Sequence, residues 1–257
     1  MNFNELHHQK KPLLIANVWD ATSAIIAQQS GYQALGTSSA AIAAMLGYDD
    51  GEMMSFDELL YIVKRIKAVS HLPLSVDLEA GFGESADKIV ENLKQLSCLG
   101  VVGVNLEDSK IVNAVRQLTD ATVFANKLKQ VRLKLNLEGH PLFFNIRTDT
   151  FLLNHEQALQ ETLYRGQLYA KSGADSLFVP CITQSNDIKT ITNEVALPLN
   201  VMCVPNLPDF EQLKSLGVSR ISMGNFIHAT VHSQLKTLML TIMSQQSFSE
   251  VFSHESL

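Results

Sequence analysis

The stretch SVDLEAGFG, residues 75–83, begins as an apolar run and ends in two carboxylates and a glycine-rich turn. Its first part lies in PLSVDL (73–78), one of eight short apolar runs along the chain. Runs that are apolar at successive positions are typical of strands covered on both faces in a parallel sheet. The other seven are LLIANV (13–18), ALGTS (34–38), VGVNLE (102–107), LFFNIR (142–147), SLFVP (176–180), LNVMC (199–203) and RISMG (220–224).

Helical patterns separate these runs. The clearest covers 56–69, where Leu59, Leu60, Ile62, Val63 and Ile66 recur at helical spacing. The spacing predicts further helices over 21–30, 85–99, 121–137, 154–172, 184–194, 208–215 and 227–245.

Eight strand–helix units in about 250 residues indicate an α/β fold, a (β/α)8 TIM barrel. A doubly wound open sheet is the alternative architecture. No linker or low-complexity tract divides the chain, so a single domain over 1–257 is expected. Its barrel core is expected at about 10–245, followed by a loose C-terminal tail from about Ser247.

Composition excludes several classes of protein. The 257 residues are 46% hydrophobic and 18% charged, and 20 basic against 26 acidic residues give a net charge of −6. No dense basic block is present, which argues against binding to nucleic acid or to an anionic membrane. The N-terminus lacks an apolar signal segment. The chain has three cysteines, Cys98, Cys181 and Cys203, and their spacing is not that of a metal site. An odd number of such cysteines is typical of reduced thiols in a cytoplasmic protein.

Charged side chains follow three neighbouring strands at the point where each strand ends. Asp77 and Glu79 end the third strand, Glu107 the fourth and Arg147 the fifth. Strand alternation predicts that Asp77 and Glu79 share one face. Carboxylates crowded at one barrel mouth need a cation, and oxygen ligands without nearby His or Cys favour Mg²⁺, or Mn²⁺, over Zn²⁺. Arg147 is then free to grip a substrate carboxylate.

Two connections are too long for simple turns and are expected to carry function or act as lids, namely 39–55 and 108–120. Other acidic residues near strand ends have a simpler interpretation. Asp20, Asp108 and Asp149, each taken alone, are expected to cap helices. Trp19 follows the first strand, where it walls the pocket or serves only in packing.

In these motifs the chain resembles the isocitrate lyase/phosphoenolpyruvate mutase superfamily, over about residues 10–240. The matching segments are NVWDATSA, GTSS, GYDDGE, SVDLEAGFG, GVNLEDS, NIRTDT and GADSLFVP. The resemblance implies a barrel whose eighth helix is swapped with a neighbouring subunit, in a homodimer or homotetramer. It also implies bound Mg²⁺ and a substrate that is a 2-oxo acid or a related carboxylate.

The same resemblance assigns roles to individual residues. Asp77 is similar to the direct metal ligand, Glu79 stands where the family has a second aspartate, and Glu107 is similar to the outer-sphere ligand. Arg147 is similar to the substrate-binding arginine. The substrate cradle corresponds to Ser38 with the amides of Ser39 and Ala40, and Asp50 to the loop aspartate beside the substrate; Asp50 or Tyr48 would move the proton.

The chain also departs from the pattern of the superfamily that it resembles. The loop SKIVNAVRQLTD lacks the Lys-Lys/Arg-Cys-Gly-His segment of the isocitrate and methylisocitrate lyases, and its only basic residues are Lys110 and Arg116. The sixth strand ends in Pro180 and Cys181 rather than in the histidine of the mutases. The main hypothesis is therefore a Mg²⁺-dependent carbon–carbon lyase that stabilises an enolate. The alternatives are a 2-oxo-acid decarboxylase, P–C chemistry on phosphonopyruvate, and a non-catalytic 2-oxo-acid binder.

Overall fold

The structure is a computed structural model, and it describes residues 2–252. The strands are β1 (Leu13–Leu14), β2 (Ala16–Val18), β3 (Leu35–Thr37), β4 (Leu74–Asp77), β5 (Gly103–Glu107), β6 (Ser109–Val112), β7 (Val115–Leu118), β8 (Phe143–Arg147), β9 (Ser176–Val179), β10 (Leu199–Met202) and β11 (Arg220–Ser222). The helices are α1 (Ala21–Gln29), α2 (Ser39–Leu46), α3 (Phe56–Val69), α4 (Ala86–Cys98), α5 (Ala121–Leu137), α6 (Ala158–Lys171), α7 (Ser185–Glu194), α8 (Phe210–Ser215), α9 (Phe226–Gln245) and α10 (Ser249–Phe252).

Parallel pairing closes the main sheet into a barrel. The strand order is β1-β11-β10-β9-β8-β5-β4-β3-β2. β1 and β2 are separated only by Ile15 and together form one barrel strand. The first half pairs with β11 and the second with β3, and the amide of Ile15 between them donates to Ile221 at 3.0 Å. All eight predicted runs therefore form staves of the barrel, and the open-sheet alternative is wrong.

Burial explains why the runs are apolar throughout. All five residues of β5, all four of β9 and all three of β3 are buried, because the barrel interior covers one face and the helices cover the other. The helix α3 begins at the capping box of Ser55 and Glu58 and buries the five apolar residues predicted for its inner face.

The two long connections contain regular structure that the sequence analysis missed. The first opens with α2, capped by Ser38 and ended by Gly47 at φ +84°, so only residues 47–55 form a loop. The second is the antiparallel hairpin β6–β7, which turns at Asn113 and Ala114 with φ of +51° and +62°. Helix α6 begins at Ala158, later than the predicted residue 154, because turns occupy the segment before it.

The N-terminal segment, which precedes the expected start of the barrel core at about residue 10, packs against the floor of the barrel. A 3₁₀-helix over Glu5–His8 brings Phe3, Leu6 and His7 against Phe143. The His7 ring stacks on that of Phe143 with 4.2 Å between ring centroids, and the two rings lie 20° from parallel. The floor cluster is separate from the main core between barrel and helices.

Polar side chains fill the middle of the barrel. Asn145 donates to Asn105 at 2.8 Å and to Asn200 at 3.3 Å, while Ser176 donates to Asn145 at 2.5 Å. All four residues are buried. This layer supports the strand ends above it, because Asn105 also lies 3.5 Å from a carboxylate oxygen of Asp77.

The last long helix, α9, is largely exposed to solvent. His228 is the one buried residue of α9, and it meets the edge of Trp19 with ring centroids 5.0 Å apart. Many apolar side chains of α9 are exposed, among them Ile227, Val231, Leu235, Met239, Leu240 and Met243. The predicted tail contains the short helix α10, and its residues 253–257 lie outside the described part. Within 2–252, no helix has the length and apolar character needed to cross a bilayer.

Candidate active site

The carboxylate of Asp77 lies at the mouth of the barrel, at the C-terminal end of β4. Its Oδ2 accepts a hydrogen bond from the Ser39 hydroxyl at 2.8 Å and lies 3.4 Å from the Ser39 amide. The Asp77 amide donates to the hydroxyl of Thr37 at 2.8 Å. The first turn of α2 therefore holds the Asp77 side chain in place.

Glu79 lies beside Asp77, though not for the predicted reason. Strand β4 ends at Asp77, and Glu79 has a left-handed φ of +49°. The alternation of side chains along a strand therefore does not determine where Glu79 points. The side chain is 2% exposed, and its Oε2 accepts from the amide of Glu52 at 2.6 Å. Burial, followed by repulsion from Asp50, Asp77 and Glu107, raises the pKa of Glu79 to about 9.

Glu107 and Arg147 face each other across the paired ends of β5 and β8. Arg147 Nη1 lies 3.0 Å from Glu107 Oε2. The predicted role of Arg147 assumed a free guanidinium, but Asp149 also grips it, with Nε–Oδ1 at 2.6 Å and Nη2–Oδ2 at 3.1 Å. The fully buried carboxylate of Asp149 binds Arg147 and Ser109, and it caps none of the described helices, contrary to expectation. Burial raises the pKa of Glu107, and the neighbouring Arg147 opposes that shift.

A second guanidinium, Arg116, reaches the same carboxylates from the hairpin. It contacts Glu107 directly, lies 3.0 Å from the Ser109 hydroxyl, and lies 3.2 Å from Asp50. The Arg116 side chain is 14% exposed. Sequence reasoning noted this residue without assigning it a role, because the hairpin that aims it was not predicted. The β-branched residues on either side of Asn113 and Ala114, Ile111, Val112 and Val115, were the available signal for a hairpin.

The remaining predicted residues are placed as follows. Ser38 is buried and caps α2 by accepting from the Ala41 amide at 3.3 Å, and Ala40 lies half-buried in the first turn. Tyr48 is 39% exposed and donates to Glu58 at 2.9 Å, away from the carboxylates. Trp19 lines a different cavity, of about 510 Å³, between α1 and α9.

The other two acidic residues expected to cap helices differ from each other. Asp20 does cap α1, through a capping box with Ser23. Asp108 is instead buried, and it accepts from Arg165 at 3.0 Å and from the Tyr169 hydroxyl at 2.7 Å. Its other oxygen lies 3.2 Å from the amide of Asp149. Asp108 therefore anchors the end of β5 to α6 and to the strand end that carries Arg147.

The donor set fits a hydrated divalent cation. Oε1 of Glu79 is buried and has no hydrogen-bond partner in the described residues, which leaves an acceptor that a cation or its water would satisfy. Within 2–252, no three His, Cys, Asp or Glu side chains are grouped closely enough to hold an ion between them. Mg²⁺ usually keeps several waters and takes one or two carboxylates directly, so such a site does not need three direct ligands.

A closed parallel barrel with charged residues at the C-terminal ends of its strands has the architecture of a TIM-barrel enzyme. The family model described as phosphoenolpyruvate phosphomutase matches residues 3–243. The chain therefore belongs to this family, within the isocitrate lyase/phosphoenolpyruvate mutase superfamily of lyases and mutases. The resemblance in the motifs is confirmed.

Individual relatives carry different activities in their names. The crystal structure of a provisionally assigned phosphonomutase of Burkholderia cenocepacia is 36% identical, with TM-score 0.87, covering 92% of this chain and 97% of that one. An uncharacterised protein of Mycobacterium tuberculosis is 31% identical, over 88% of this chain and 82% of its own. The 2-methylisocitrate lyase of Shewanella oneidensis is 28% identical, over 82% and 71%. The chain is an enzyme of this superfamily, and the reaction differs among its members.

Proposed function

We propose that the protein is a Mg²⁺-dependent carbon–carbon lyase that acts on a 2-oxo acid or a 2-hydroxy-tricarboxylic acid through an enolate. The observation that carries the proposal is the group of carboxylates at the mouth, Asp77, Glu79 and Glu107, with one buried oxygen of Glu79 unpaired. A bound Mg²⁺ would supply Lewis-acid stabilisation of the negative oxygen that forms as the bond breaks. Asp77 and Glu79 would hold the ion, and Glu107 would hold its water. Mn²⁺ would suit the same oxygen ligands.

The residues of the chain then have separate tasks. Ser39 orients Asp77 through its hydroxyl, and the first turn of α2, with Ser38 and Ala40, presents its positive end to the substrate carboxylate. Arg147, held by Asp149, offers its remaining N–H groups toward the same anion. Because these donors are positioned before the reaction, they stabilise the developing charge without reorganising.

Asp50 is the proposed proton-transfer residue. Its carboxylate lies on the loop over the mouth and pairs with Arg116 at 3.2 Å. Tyr48, the alternative, hydrogen-bonds to Glu58 instead, which favours Asp50. The position of Asp50 also supports a second candidate, P–C bond chemistry, in which Asp50 would receive a phosphoryl group. The name of the Burkholderia relative agrees with that candidate.

A binding experiment followed by a product assay tests the proposal. Calorimetry with Mg²⁺ and oxalate, an enolpyruvate mimic, is expected to show Mg²⁺-dependent binding that Asp77→Asn abolishes. Asp57→Asn, on the exposed start of α3, is the matched control and should bind as wild type does. Unchanged binding by Asp77→Asn would remove the metal assignment.

The wild-type protein is then incubated with Mg²⁺ and 2-methylisocitrate, isocitrate, oxaloacetate or phosphonopyruvate. Pyruvate, glyoxylate or succinate released from the first two supports the lyase, and pyruvate from oxaloacetate supports the decarboxylase. Inorganic phosphate supports P–C chemistry. Oxalate binding without turnover of any of these compounds would leave a non-catalytic binder and contradict the lyase.

We also propose a homo-oligomer in which α9 packs on a second copy of the chain. The exposed apolar side chains of α9 support this, since a helix so apolar around its surface is normally covered. A homodimer or homotetramer would provide that cover. The three free cysteines support the predicted cytoplasmic location.

A further inference from the structure

A cavity of about 500 Å³ extends from Glu79 and Glu107 to the far side of the hairpin. Its other walls are the turn after β4, the hairpin β6–β7 and the first turns of α5. Pockets that enclose whole small ligands have volumes of roughly 300–1,000 Å³. A three-carbon 2-oxo acid would therefore fill only a part of this cavity.

The two ends of the cavity differ in charge. Glu79 and Glu107 form the end nearest the proposed metal, and Arg116 lies at the border. On α5, Lys127 lines the opposite wall, where it is half-buried, and its side chain has no hydrogen bond or ion pair within residues 2–252. Lys110 adds a second positive charge, and among the described residues it forms an ion pair only with Glu84, at 3.9 Å.

Apolar groups lie between the two ends. Ile111 from the hairpin and Val123 and Phe124 from α5 line the cavity beside Lys127. A half-buried lysine without a counter-ion, next to an apolar wall, suits an anion carried on an aliphatic segment. The remaining acidic residues do not neutralise it, because Glu52 already accepts the Phe82 amide at 2.7 Å and the Glu84 side chain is 91% exposed.

From this arrangement we infer that the cavity is a subsite for the distal end of the substrate, and that Lys127 binds a terminal carboxylate there. The inference rests on the proposed function, in which the 2-oxo-acid head binds at Glu79 and Glu107. It specifies the substrate class as 2-oxo or 2-hydroxy acids with a second carboxylate on an aliphatic chain. Lys127 thereby determines specificity and takes no part in bond cleavage.

Calorimetry of the Mg²⁺-loaded protein tests this inference. The probes are 2-oxoglutarate against 2-oxovalerate, and 2-oxoadipate against 2-oxohexanoate, which differ pairwise only at the terminal group. At least one dicarboxylate should bind about tenfold more tightly than its partner, as a charge-assisted hydrogen bond would provide. Lys127→Gln should abolish that preference and leave oxalate affinity unchanged. Lys129→Gln, exposed on the same helix, should keep the preference.

The outcomes separate the two proposals. If oxalate binds with Mg²⁺ but no dicarboxylate is preferred, or if Lys127→Gln keeps the preference, the subsite is wrong and the proposed function stands. If oxalate itself does not bind, both the proposed function and the subsite are overturned.

Discussion

Arg147 is held on two sides by carboxylates, and this limits what a substitution there can reveal. Asp149 bonds its Nε and Nη2, and Glu107 lies 3.0 Å from its Nη1. Removing one partner of a buried ion pair costs roughly 3–5 kcal/mol of folding free energy, because the remaining charge is left uncompensated. Loss of substrate affinity in an Arg147 variant would therefore combine lost contacts with a damaged site, which is why Asp77 is the better test.

His7, at the opposite end of the barrel, has a measurable consequence for acid stability. Burial lowers the pKa of His7 to about 3, and the positive charge of Arg220 contributes to the same shift to a lesser extent. The ring accordingly stays neutral in the folded protein at pH values where an unfolded histidine, with its ordinary pKa near 6.5, takes up a proton. This contribution to stability is fully present above about pH 6.5 and is lost as the pH falls toward 3.

We predict that His7→Phe weakens the pH dependence of unfolding. Phenylalanine keeps an aromatic ring against Phe3 and Phe143 but cannot bind a proton. Between pH 7 and pH 5, the decrease in the free energy of unfolding should be about 2 kcal/mol smaller than in the wild type. Urea denaturation at both pH values measures this difference. His8→Gln, at an exposed position, should retain the wild-type slope, and an equal slope in His7→Phe would refute the assignment.

At the scale of elements, the hairpin β6–β7 is attached to the loop 47–55 by two contacts. Arg116 pairs with Asp50, and the Ile111 side chain lies directly over Gly51. Gly51 has a φ of +110°, and a Cβ at this position would overlap the Ile111 side chain. Glycine is required here both for the backbone conformation and for the close approach of the hairpin.

Gly51→Ala should therefore loosen the hairpin. The methyl group would push Ile111 away and add roughly 1–2 kcal/mol of backbone strain. Hydrogen exchange of the amides of 109–118 should become faster than in the wild type. Gly31→Ala is the matched control, because φ there is +82° and a Cβ would meet nothing within 4 Å. If Gly31→Ala and Gly51→Ala give the same exchange over 109–118, the hairpin does not depend on this contact.

At the scale of the whole molecule, the exposed apolar surface of α9 is the main argument that the chain packs against a second copy. The helix has one buried residue, His228, and most of its other residues are exposed, including several Leu, Met and Ile side chains. Packing this surface on a second copy would bury apolar area worth about 25 cal/mol per Å². The cavity between α1 and α9, lined by Trp19 and Val231, would be enclosed by the same contact.

If the proposed oligomer forms through this surface, Leu235→Lys should convert it into a smaller species. A charge in the centre of the apolar surface is costly to bury without a partner. Analytical ultracentrifugation should show a multiple of the chain mass for the wild type and a monomer, or a mixture containing monomer, for Leu235→Lys. Gln234→Lys, also exposed on α9, should sediment as the wild type does. A monomeric wild type would end the proposal.

Periodicity and strand-end residues alone predicted the barrel, the positions of its staves, the inner face of α3 and the presence of Asp77, Glu107 and Arg147 at one mouth. These features could be predicted because each depends on residues a few positions apart. A parallel barrel also brings all its strand ends to one side. The cap at Asp20 has the same local origin.

Only the tertiary structure decided which charges pair. Arg116 reaches Glu107 from a hairpin that turns at Asn113 and Ala114, and the amide of Glu52 donates to the Glu79 carboxylate; both contacts depend on turns whose left-handed residues have no periodic signal. Arg116 and Asp50 lie 66 positions apart in the chain. Closure of the barrel sets such distances, and it also makes room for Phe3 and His7 in its floor. A single sequence encodes these pairings only through the whole folded chain, so pattern reasoning could not reach them.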